Sequence, residues 1–126
     1  MQRFFASLML CVLIAQPATT WAHAKLLKSE PARRAVMSQA PQQLRLWFNE
    51  ALEPAFSIAT VLDSTGKPVT EIKAVVAAQD AKLLELALPR LGNGVYTVQF
   101  QVLSIDGHTV KSSFQFEIRE PPAAGR

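Results

Sequence analysis

The sequence predicts an all-β domain, an antiparallel β-sandwich of about seven strands. Three observations point there. Short runs of aliphatic, β-branched and aromatic residues alternate with polar ones, as half-buried strands do. Turn residues interrupt these runs at regular spacing. No stretch sustains the 3.6-residue period of a long helix, and no internal repeat is present.

The elements follow in order. Ala24 to Lys28 forms a first strand, ended by Ser29-Glu30-Pro31, and residues 32–41 form a loop closed by Ala40-Pro41. Gln43 to Asn49 alternates, with Leu44, Leu46 and Phe48 on one face and Arg45 and Trp47 on the other. Ser57 to Asp63 is β-branched and apolar, and Ser64-Thr65-Gly66-Lys67-Pro68 is a strong turn signal behind it. Val69 to Val75 reads as a further strand, and Ala74 to Ala81 has room for one helical turn. Lys82 to Leu88 sets Leu84, Leu86 and Leu88 together, before a loop from Pro89 to Gly94. Val95 to Leu103 is the clearest strand, with Tyr96, Val98, Phe100 and Val102 on one side. Val110 to Ile118 closes the domain on Phe114, Phe116 and Ile118. The Pro/Ala/Gly-rich stretch 120–126 is expected to be a disordered tail. The apolar residues named are core; Trp47, on the more polar face, either covers a surface site or packs under a loop.

Residues 1–22 read as a cleaved signal peptide. Arg3 is the basic start, Phe4 to Ala15 is an apolar stretch too short for a membrane span, and Thr20-Trp21-Ala22 fits the small-residue cleavage rule. The mature chain, residues 23–126, is one domain with one modest core, residues 23–119. It is exported, and it lacks cysteine because Cys11 leaves with the signal. Its charge is nearly balanced, and no basic run interleaved with aromatics suggests nucleic acid.

Two histidines occur in the chain. Cleavage after Ala22 makes His23 the first residue, with a free α-amine beside its imidazole, and these two nitrogens can close a chelate ring on one metal ion. His108 lies in Ser104-Ile105-Asp106-Gly107-His108-Thr109-Val110, between the two best strands. Asp106 and His108 are two residues apart, so in extended backbone both point the same way. Alone, Asp-Gly is ordinary hairpin chemistry and His108 a turn residue. Together with His23 they make a set of three nitrogens and one oxygen, which suits tetragonal Cu(II), with tetrahedral Zn(II) open to the same ligand types. A blue-copper site requires cysteine, and Met37 is the one methionine of the mature chain, so a thioether-rich Cu(I) site is unsupported. Glu50 follows a strong strand. At the same end of the sandwich it would accept a hydrogen bond from a ligating imidazole; otherwise it is an exposed turn carboxylate. Nucleophile-elbow and phosphate-loop motifs are absent.

These residues resemble the CopC family of copper-resistance proteins and the related YobA group. The resemblance is carried by a signal peptide ending just before His23-Ala24, by Ser29-Glu30-Pro31-Ala32, by Leu46-Trp47-Phe48-Asn49-Glu50, and by Asp106-Gly107-His108-Thr109-Val110 with Phe114-Gln115-Phe116. It spans essentially the whole mature chain. It implies a cupredoxin-like Greek-key β-barrel or sandwich, a periplasmic location, and one Cu(II) held by His23, Asp106 and His108, with Glu50 beside them. It also implies a CopD-like inner-membrane partner. Some members carry a Met-rich Cu(I) site, and this chain lacks those methionines. The expected function is therefore a non-enzymatic, monomeric Cu(II)-binding protein that sequesters copper or passes it on. The alternatives are a histidine-brace copper monooxygenase and a metal-free immunoglobulin-like interaction module.

Overall fold

The computed structural model describes residues 24–123. Strands form where the alternation is strictest. They are β1 (Leu26–Glu30), β2 (Val36–Met37), β3 (Gln43–Phe48), β4 (Ile58–Leu62), β5 (Val75–Val76), β6 (Leu83–Ala87), β7 (Gly94–Leu103) and β8 (Thr109–Ile118). A 3-10 turn at Pro54–Phe56 is the one helical element among the described residues. Two four-stranded sheets result, in the orders β1-β3-β6-β5 and β2-β8-β7-β4. The chain crosses between them five times, and the β5–β6 and β7–β8 pairs are the connections that stay within one sheet. Such repeated crossing is the Greek-key manner of building a sandwich.

The faces fall as the alternation requires. Leu44, Leu46 and Phe48 of β3 meet Leu84 and Leu86 of β6 on one inner face. Tyr96, Val98, Phe100 and Val102 of β7 and Phe114, Phe116 and Ile118 of β8 supply the other. Phe48 of the first sheet meets Phe100 of the second edge to face, with centroids 5.5 Å apart. Tyr96 stacks on Phe116 at the same separation, and its hydroxyl donates to the Gly92 carbonyl at 2.8 Å. That bond ties the start of β7 to the loop four residues upstream. Each such aromatic or leucine contributes roughly 1.5–3 kcal/mol by burial, and the described residues, which contain no cysteine, rely on this packing.

The structure departs from the expected elements at four places. The loop 32–41 contains β2, which pairs in parallel with β8 (Val36 opposite Glu117, Met37 opposite Ile118), so the second sheet is not wholly antiparallel. Two residues are too few to show a period, but they cover an edge of β8 that would otherwise invite foreign strands. The expected strand 69–75 gives way to the two-residue β5: Val69 and Ala74 pack against the core, but Ile72 and Val75 are 61% and 62% exposed, so the run keeps no continuous buried face. The helical turn considered at 74–81 is instead β5 followed by a turn, with Asp80 N bonded to Ala77 O and Leu83 N to Asp80 O. Glu120, the first residue of the expected tail, is held in place. Its N–H donates to Asn93 Oδ1 at 2.8 Å, and its Oε1 accepts from the Ala40 N–H at 3.0 Å.

Phe116→Ala is expected to cost about 3–5 kcal/mol, since it removes a ring stacked between the sheets. Urea unfolding followed by far-UV circular dichroism should show the midpoint falling with little change in slope. A loss below about 1 kcal/mol would mean that the Tyr96–Phe116 stack does not belong to the core.

Candidate metal centre

Three segments are stitched together at one end of the sandwich. Beyond β3, Asn49 pairs reciprocally with Lys25: its N–H donates to Lys25 O at 3.0 Å, and its Oδ1 accepts from Lys25 N–H at 2.6 Å. The chain then crosses the end of the sandwich. Glu53 N bonds to Leu103 O, Ile105 N bonds to Ala51 O, and Leu52 bridges Ser104. The start of the described chain, the 49–53 crossing and the β7–β8 loop therefore share one rim. Ala24 is buried in the core at this start.

The loop between β7 and β8 is short and closed on itself. Ser104 N bonds to His108 O, and Gly107 N bonds to Ser104 O, both at 2.9 Å. Gly107 has φ +93°, a backbone state that side chains rarely adopt, so the tight bend requires glycine there. The bend turns Asp106 and His108 toward one another, with Asp106 Oδ1 3.2 Å from His108 Nδ1. The Ser104 hydroxyl, fully buried, donates to the same Asp106 oxygen and accepts from the His108 N–H at 3.2 Å. Sequence reasoning missed Ser104. Its signal was the Ser-x-Asp spacing at a strand end, a pattern by which a side chain caps a turn.

Charge in the loop favours a cation. The Ser104 hydrogen bond first, then the hydrogen bond to His108, hold the Asp106 carboxyl at about 2, so it is ionised across the whole physiological range. Glu50 moves the opposite way. Its partial desolvation, and then its hydrogen bond to Asp106 and that carboxylate's charge, push it up. The two carboxyls are thus pushed in opposite directions by their contact, Asp106 down and Glu50 up. Glu50 stands beside Asp106, and the His108 imidazole also acts on its charge.

The 3.2 Å hydrogen bond between Asp106 Oδ1 and His108 Nδ1 keeps a carboxylate and an imidazole within reach of one cation. Two ligands do not complete a centre, and among the described residues no three His, Cys, Asp or Glu side chains are grouped to hold a metal. The expected third member, His23, lies outside the described residues, as do the signal peptide and its cleavage site. Trp47 lies on the outer face of the first sheet, between Lys28 Nζ at 4.8 Å and Arg45 Cζ at 4.9 Å from its ring. It is a support for two cations there.

The whole of this architecture has known counterparts. Residues 26–119 match the CopC domain model. Protein YobA of Escherichia coli K12 is 35% identical over 102 residues, covering 80% of this chain and 82% of that protein. Copper resistance protein C of Xanthomonas campestris pv. juglandis is 34% identical, covering 81% of this chain and 84% of its own. Copper transport protein CutJ of Bacillus subtilis is 30% identical over 88% of this chain, which corresponds to 21% of CutJ. Among solved structures, CopC from Methylosinus trichosporium OB3b superposes with a TM-score of 0.74 at 36% identity, covering 82% of this chain and all of that one. PcoC from Escherichia coli, described as a methionine-rich copper resistance protein, gives 0.69 at 27% identity over 78% of this chain and all of its own. A domain match over this span, with relatives sharing a third of their residues over most of both chains, leads to one conclusion: the chain belongs to the CopC family.

Proposed function

We propose that the mature protein binds one Cu(II) ion in the periplasm, in the service of copper resistance and homeostasis. The ligands are the α-amine and imidazole of His23, the Asp106 carboxylate and the His108 imidazole. The observation that carries this reading is the Asp106–His108 pair, held 3.2 Å apart on the rim where the chain emerges at Ala24. Ala24, the first described residue, directly follows His23 in the sequence.

The chemistry of the donors selects the oxidation state. Nitrogen and carboxylate oxygen favour Cu(II), whereas thioether and thiolate favour Cu(I). Cys11 precedes the cleavage site, and Met37 packs against the core from β2, which leaves no sulfur cluster for Cu(I). Asp106 needs no proton removed before it can bind, given its low pKa. Glu50, hydrogen-bonded to Asp106, orients the carboxylate. With Asp106 occupying a ligand position, the centre stores or transfers its ion and is not an oxygen-activating enzyme, whose metal keeps an open position.

Copper is cargo here. We infer that the protein is a monomer that sequesters the ion or hands it to a CopD-like inner-membrane partner. CutJ supports the second route, because a domain of this kind makes up about a fifth of a copper transport protein. Residues 1–22 act as the signal and 23–119 as the copper-binding domain. The site comes into being when the signal is removed, since an internal residue 23 has no amine to offer.

Competition against a Cu(II) chelator should show tight one-to-one binding by the processed protein. One extra residue before His23 should weaken it by an order of magnitude or more, because the chelate ring is lost; equal affinity would contradict the N-terminal chelate. Affinity should also fall as pH falls below the amine pKa of about 7.7–8.0, by about tenfold per unit, since one proton must leave for each ion bound. Titrations at several pH values that show no slope would exclude the amine as a ligand.

A further inference from the structure

We propose that Ser104 is the positioning residue of this centre, its buried hydroxyl holding the Asp106 side chain in the orientation that receives the metal. The inference rests on the metal-site reading above and adds to it a residue that is not itself a ligand. Ser104 is 0% exposed, at the point where the long β7 ladder ends, and Leu52 bridges it from the crossing segment. A buried hydroxyl must find partners inside the protein. Those partners belong to Asp106 and His108 alone. The oxygen donates to Asp106 Oδ1 and accepts from the His108 N–H at 3.2 Å. The His108 carbonyl, 3.3 Å away, competes for the hydroxyl proton, and an ionised carboxylate is the stronger acceptor.

The tether matters because the Asp106 side chain is 42% exposed, on a loop whose tip faces solvent. A solvated aspartate rotates among staggered χ1 states. Ordering it at the moment of metal binding would cost affinity, whereas a ligand already in place avoids that cost. Ser104 is anchored by the sheets, so it passes the rigidity of the core to a ligand the core does not touch. The carboxylate can still offer its other oxygen to a cation. The Ser104 and Glu50 hydrogen bonds fix Asp106 together, one from inside the sandwich and one from the crossing segment.

A double-mutant cycle on the processed protein tests this, with Cu(II) affinity read by chelator competition for the native chain, Ser104→Ala, Asp106→Asn and the double variant. Ser104→Ala should weaken binding by about 10–100-fold, the usual effect of losing a partner that orients a ligand. In the Asp106→Asn background the same change should have little further effect, because the two residues act as one unit. Equal losses in both backgrounds, or none in either, would overturn the proposal. A metal-free readout keeps the two readings apart. The Hα–Hβ couplings of Asp106 should report one χ1 rotamer in the native protein and an average in Ser104→Ala. Averaging already present in the native chain, or couplings unchanged in the variant, would overturn Ser104 whatever copper does. If Asp106→Asn alone left Cu(II) affinity intact, the ligand assignment would fail, and the couplings would still decide Ser104. Should the alanine variant fail to fold, Ser104→Cys keeps the volume with only a weak donor and takes its place.

Discussion

The β7–β8 hairpin is the constraint on which the rest of the molecule depends. Ten consecutive residue pairs, from Gly94 opposite Ile118 to Leu103 opposite Thr109, lock its register. A slip of β8 by one residue would turn its inward side chains out to solvent, removing Phe114, Phe116 and Ile118 from the core at once. It would also break the loop that closes the hairpin. Because Ser104, Asp106 and His108 sit between the last paired residues, the packing of the core sets where two candidate ligands stand. Stability and metal chemistry are thus linked through one ladder of backbone hydrogen bonds.

Much of this was legible in the sequence because the long strands have a strict period of two. The inward faces of β3, β6, β7 and β8 follow it residue by residue, as with Leu44, Leu46 and Phe48. The short elements were not legible. Two residues cannot display a period, so β2 and β5 carry no signal of their own, and their pairing is imposed by neighbours. Val69 to Val75 misled for the opposite reason, having strand-like composition but only Val69 and Ala74 against the core. At the candidate site, the nearness of the Asp106 and His108 side chains was legible from their spacing around a glycine. Glu50 was legible as a neighbour of the same end, while its contact with Asp106 depends on how the 49–53 segment crosses the sandwich. Ser104 was hidden because a serine beside an aspartate is common, and only its complete burial marks it.

The electrostatics of the rim suit a cation that arrives and leaves. Asp106 is kept ionised by a buried hydroxyl, while the neighbouring Glu50 is pushed up by desolvation and by the Asp106 charge. The proposed nitrogen donors, with no sulfur cluster beside them, would favour Cu(II). The family's copper resistance and copper transport members agree with that preference at the level of the metal.

The central claim is that a loop fixed by the core and the first residue of the mature chain assemble one copper site between them. A Cu(II) EPR spectrum of the correctly processed protein at one equivalent of metal tests it most directly. The account predicts a single tetragonal species whose hyperfine structure reports three nitrogen ligands: the α-amine and imidazole of His23 and the imidazole of His108. A spectrum with fewer bound nitrogens, or one that stays the same when the α-amine is blocked, would contradict it.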